Sequence, residues 1–73
     1  MSKLPVLSGI KAVKAFSKLG WKPVRQTGNH VILMREESDV TLSIPLHETL
    51  KKGLLSALLK DAGITVDELI KNL

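Results

Sequence analysis

The sequence predicts an α+β domain of order α-β-β-β-α-α, with a three-stranded antiparallel sheet and the helices on one face. Three observations predict it. Apolar residues recur at helical spacing near the N-terminus and again in the last third of the chain. Between these segments lie three short strand-like runs separated by turn residues. The chain has only 73 residues, and a chain of that size buries only about 60% of its unfolded surface, which leaves no room for a second core. One domain over residues 1–73 is therefore expected.

The elements follow in order. Ser8 stands where a helix N-cap would be, ahead of a run reaching about Leu19, and Gly20 holds the place of a left-handed residue that ends a helix. At about 100° per residue, Ala12, Val13, Phe16 and Leu19 gather on one side of this helix and Lys11, Lys14 and Lys18 on the other. The lysine stripe can be an ordinary solvated face or a polyanion-binding one. "WKPVRQT" and "HVILMR" then read as strands joined by Gly28-Asn29, a two-residue connection that suits a hairpin turn with positive φ. Pro23 places the first strand at an edge, or at least begins it with an unpaired residue.

The second strand has apolar residues on both faces. Either it is central and covered twice, or its outer face is kept for a partner. After "EESD", the run "VTLSIP" alternates Val40, Leu42 and Ile44 with Thr41 and Ser43, the pattern of a half-buried strand. "GLLSALLKDAG" forms a helix with Leu54, Leu55, Leu58, Leu59 and Ala62 in its stripe and Gly63 as its stop. Thr65 to Glu68 matches a capping box that starts a short last helix.

Composition narrows the function classes. There is no cysteine, so neither a disulfide framework nor a thiolate metal site is available, and the chain suits a reducing cytosol. "MSKLPVLSGIK" lacks the apolar core of a signal peptide, and no stretch approaches the ~20 apolar residues of a membrane span. A soluble, untargeted, cytoplasmic protein is expected. The net charge is +4 with a pI near 9.7, and it is unevenly placed. Residues 1–35 carry Lys3, Lys11, Lys14, Lys18, Lys22, Arg25 and Arg35 and no acid, whereas all seven acids follow Arg35. Such asymmetry suggests a basic face for a polyanion.

Chemistry has few carriers in this chain. No HxH, HxxxH or HExxH pattern is present, so no metal site is expected. Nucleotide-binding glycine loops and GxSxG elbows are missing too, and no small-molecule cofactor is expected. His30 and His47 are the only histidines, the residue type that exchanges protons near neutrality.

RNA cleavage asks for little more, because the substrate brings its own nucleophile, the 2′-OH. The protein supplies one group to take that proton, another to protonate the leaving 5′-oxygen, and cations for the crowded phosphorane. His30 lies between Arg25 and Arg35 in the acid-free half. On the local pattern alone, a histidine opening an apolar strand is more commonly a structural one bonded to the turn backbone, so spacing leaves both roles open. With one Trp, one Phe and no Tyr, base stacking is a poor mode of recognition. Phosphate contacts would carry binding and make it salt-sensitive.

The stretches "LSGIKAVKAFSKLGWKPVRQTGNHVIL", "VTLSIPLH" and "GLLSALLKDAGIT" together resemble the HicA toxin family. The shared features are a Ser-Gly opening of the first helix, a Gly-aromatic exit, an Arg-Gln-x-Gly-x-His turn, a Pro-x-His after the third strand, and a Gly-x-Leu-x-x-x-Leu-Lys-x-Ala-Gly helix. The resemblance implies a double-stranded-RNA-binding-domain-like fold and the toxin of a type II toxin–antitoxin system. It also implies a metal-independent endoribonuclease that cleaves mRNA and is inhibited by a HicB-type antitoxin covering its active site. By this match His30 is the catalytic histidine and His47 an auxiliary one.

Lys11, Lys14, Lys18, Lys22, Arg25 and Arg35 are then candidates for RNA-backbone contacts, and Gly28 and Asn29 for shaping the turn that presents the imidazole. The chain departs from the family at "EESD", where a Pro-Asp-Gly-like turn is common, and at Lys52-Gly53-Leu54, where Pro-Gly-Thr is common. Two other readings fit the same residues: a non-catalytic RNA-binding module of this fold, and a protein that only occupies a partner through its apolar outer face.

Overall fold

The computed structural model describes residues 3–73. Helix α1 (Gly9–Lys18) starts at Ser8, whose hydroxyl accepts the Lys11 N–H at 3.2 Å. It ends as expected at Gly20, with φ of 97°. The Trp21 N–H reaches back to the Phe16 carbonyl at 3.1 Å and the Gly20 N–H to that of Ser17 at 3.3 Å, the paired bonds of a Schellman stop. Ala12, Ala15 and Phe16 are buried. Val13 and Leu19 only flank the core, because the buried stripe of the helix is turned towards Ala12, Ala15 and Phe16.

Strands β1 (Lys22–Thr27), β2 (His30–Met34) and β3 (Thr41–Pro45) form one antiparallel sheet in the order β1-β2-β3. Pro23 lies on an edge strand, where its missing N–H is tolerated, and the register shifts between Pro23 and Arg25. Trp21 belongs to the core instead of the strand, as it is 1% exposed and follows the helix stop. Val40 also falls outside its expected strand and is exposed, since β3 begins at Thr41.

The turn before β3 has an N–H to carbonyl bond from Ser38 to Arg35 at 3.3 Å and holds Glu37 at φ 68°. There a glutamate occupies a left-handed position that glycine takes without strain.

Helix α2 (Lys52–Ala62) begins at Lys51 with no side-chain cap and stops at Gly63, φ 69°. The Ile64 N–H bonds the Leu59 carbonyl at 3.0 Å. Helix α3 (Val66–Lys71) carries the expected capping box. The Glu68 N–H donates to Thr65 Oγ1 at 3.1 Å, and the Thr65 N–H to Glu68 Oε1 at 3.2 Å.

A single apolar cluster joins the helices to one face of the sheet. It includes Phe16, Trp21, Leu33, Leu42, Ile44, Leu55 and Leu69. Among the described residues the only buried side-chain polar atom without a hydrogen-bond partner is Trp21 Nε1. In β2, Val31 and Leu33 point inward and His30, Ile32 and Met34 outward. The strand is central in the sheet, and no second layer of the described residues covers its outer face, which rules out the doubly covered arrangement. No helix of the described residues is long and apolar enough to cross a membrane.

Candidate functional site

The β1–β2 turn is built to hold its next residue firmly. Gly28 has φ of 56°, while Asn29 keeps an ordinary negative φ, the φ pattern of a type II′ hairpin turn with glycine first. A Cβ on Gly28 would meet nothing within 4 Å, so the conformation and not crowding requires glycine. Gln26 Nε2 donates to the Gly28 carbonyl at 3.2 Å and braces the turn from β1.

His30 follows as the first residue of the central strand. It pairs with Thr27 on one side and Pro45 on the other, and its side chain is exposed on the uncovered face. Arg25, opposite Ile32, points to the same face. Diagonal neighbours of this kind have Cβ atoms about 7–8 Å apart, within reach of an arginine. Ile32 and Ser43, which pair with each other, continue the face away from the turn.

A third segment is tied to the same end of the sheet. The Leu46 N–H donates to the Asn29 carbonyl at 2.6 Å, so pairing continues one step beyond β3. The Gly9 N–H donates to the His47 carbonyl at 2.9 Å and fastens the start of α1 to this segment. Contact there is so close that a Cβ on Gly9 would collide with the Pro45 carbonyl oxygen and stand 2.8 Å from Leu46 Cα. Glycine at position 9 is thus required by the approach of two backbones. His47 itself is exposed, two residues beyond the partner of His30.

The structure brings together only some of the residues singled out in the sequence. His30, Arg25, Gly28, Asn29 and the His47 segment share one end of the sheet. Lys22 pairs with Met34 and lies on the same face, but four residues away along β2, about 13 Å at ~3.3 Å per residue. Arg35 lies past the far end of β2, with Nε 3.8 Å from where a Cβ on Gly20 would stand. Lys11, Lys14 and Lys18 are exposed on α1, and the sheet stands between that helix and the imidazole. Thr27 and Pro45 flank His30 in the sheet, and Gly9 packs against the Pro45–Leu46 backbone from the helix side, none of them having been expected there. The available signal for Gly9 was a poor helix former in the first turn of an otherwise regular helix.

Among the described residues no group of three or more His, Cys, Asp or Glu side chains could hold a metal ion. The arrangement offers one solvent-open imidazole with a guanidinium on its face, at a rim fixed by main-chain bonds. A family model described as "HicA toxin of bacterial toxin-antitoxin" matches residues 10–64, more than half of the chain. No curated protein matches it.

Proposed function

The chain belongs to the HicA toxin family, which makes it the toxin of a toxin–antitoxin pair, and from that premise we propose that it is a metal-independent endoribonuclease acting on mRNA in the cytoplasm. Residues 1–73 constitute one HicA-like domain in this reading. The observation that carries it is the exposed His30 imidazole, set by the turn on the open face beside Arg25.

In the reaction, neutral His30 takes the proton of a ribose 2′-OH, whose oxygen attacks the adjacent phosphorus in line. Arg25 balances charge on the non-bridging oxygens of the phosphorane. The leaving 5′-oxygen takes up a proton, with His47 in the auxiliary role of donor. The products are a 2′,3′-cyclic phosphate and a 5′-hydroxyl, so atoms and charge balance without any cofactor.

Lys22 extends the contact with the RNA backbone along the open face. Lys11, Lys14, Lys18 and Arg35 lie off that face, and in this reading they attract RNA without touching the scissile phosphate. Such attraction is screened over about 8 Å at physiological salt. The antitoxin covers the open face, where Ile32 and Met34 supply apolar surface for it.

The test is incubation of a long single-stranded RNA with purified protein in excess EDTA, wild type beside His30→Ala. Cleavage with cyclic-phosphate ends by the wild type alone supports the assignment. Equal cleavage by both proteins refutes the role of His30. Salt-sensitive binding without turnover would favour the non-catalytic module.

A further inference from the structure

On the side of the molecule away from His30, the N-terminal segment, α1 and the end of α3 enclose an open groove of about 420 Å³. Its walls are chemically divided. Pro5, Val6 and Leu73 supply apolar surface, and Lys11, Lys14 and Lys18 line it from α1. Val6 is 72% exposed and Leu73 50%, and Ile10, one turn before Lys14 on the same helix, is 57% exposed. These are among the largest apolar exposures of the described residues, and all three stand at or beside the lysines.

A solvated lysine face needs no such neighbours, and an RNA backbone gains nothing from them. The three ammonium groups at i, i+3 and i+7 span about 10 Å of helix at ~1.5 Å rise per residue. Carboxylates at i, i+4 and i+7 of an antiparallel helix match that spacing, and an apolar residue between them can enter the groove.

We propose that this groove is a docking site for an acidic amphipathic helix of a partner protein, separate from the ribonucleolytic face and independent of its chemistry. The charge complementarity selects the acidic partner, and the apolar wall selects a peptide over a nucleic acid.

The experiment titrates the full chain with a 14-residue helical peptide bearing Glu at positions 1, 5 and 8 and Leu between them. Controls are its Gln-substituted and scrambled versions, read by fluorescence anisotropy at about 0.1 M salt. Saturable binding of the Glu peptide is expected. It should weaken roughly tenfold or more in the Lys11→Glu/Lys14→Glu/Lys18→Glu variant, as the loss of three partly screened pairs would produce. Val6→Asp should weaken it as well, and His30→Ala should leave it unchanged.

Equal binding of the scrambled peptide, or none of the Glu peptide by protein whose circular dichroism shows it folded, overturns the proposal. An RNA oligonucleotide held by the same lysines and not displaced by the peptide would reassign the groove to nucleic acid. Concentration-dependent dimers abolished by the lysine reversal, and not displaced by the peptide, would reassign it to a second copy of this chain.

Discussion

Replacing Gly9 with alanine separates two expectations that differ in sign. By helix propensity alone, alanine in a helix stabilises by about 0.5–1 kcal/mol relative to glycine. The structure argues the reverse. The new Cβ would stand 2.8 Å from Leu46 Cα and closer still to the Pro45 carbonyl oxygen. Ordinary contact begins at 3.4 Å, so one backbone must retreat by at least 0.6 Å. Both atoms are main chain, and no side-chain rotation can absorb the shift.

Overpacking of this kind costs about 1–3 kcal/mol. Losing the 2.9 Å bond from the Gly9 N–H to the His47 carbonyl adds about 0.5–1.5 kcal/mol. After the propensity gain is subtracted, a net loss of roughly 1–3 kcal/mol remains. For a domain of this size each kcal/mol shifts the melting temperature by about 4–8 °C, so a fall on the order of 10 °C is expected.

Gly53 provides the control. It lies in the first turn of α2 with open space where a Cβ would stand and no positive φ. Gly53→Ala should therefore stabilise by about 0.4–1 kcal/mol. Thermal unfolding of the two variants beside the wild type checks both signs, and a Gly9→Ala protein as stable as the wild type would refute the close-approach argument.

Two further predictions can be checked with single variants. Glu37→Gly releases a glutamate from φ 68°, where an L-residue is strained by about 1–2 kcal/mol. Against the larger unfolded-state entropy of glycine, a net gain of roughly 0.5–1 kcal/mol should appear as a higher denaturation midpoint, and a lower midpoint would show that the turn is not strained. Arg25→Ala and Arg35→Ala remove the same charge from positions near and far from His30. Cleavage should fall about tenfold to a hundredfold in the first and change only slightly in the second, and equal losses would mean that the arginines act through net charge alone.

The sequence carried the fold well because its punctuation is local. Ser8, Gly20, Gly63 and the Thr65–Glu68 pair each act on backbone groups within a few residues, so their patterns could be read without knowing what packs against them. Periodicity also gave Leu42 and Ile44 as the inward residues of β3, but in β2, apolar on both faces, it left the inward set open. It could not say what lay beyond their outward ones, because an uncovered face and one covered by another layer can show the same apolar alternation.

The site was legible only in its imidazole and its turn. What surrounds His30 comes from pairing: Pro45 is opposite it through sheet register, Arg25 is diagonal to it because the two-residue turn sets Thr27 against His30 and so Arg25 against Ile32, and the His47 segment is tied to the start of α1 by a main-chain bond. Sequence proximity misled most for the cations. Arg35 is five residues from His30, the same separation as Arg25, but a strand carries one to the far end of the sheet while a hairpin turn folds the other back alongside. The acid-free half of the chain is therefore divided in three dimensions. Lys22 and Arg25 face the open sheet, Lys11, Lys14 and Lys18 face the groove on α1, and Arg35 lies past the far end of β2, so one acid-free run in sequence supplies separate cationic surfaces.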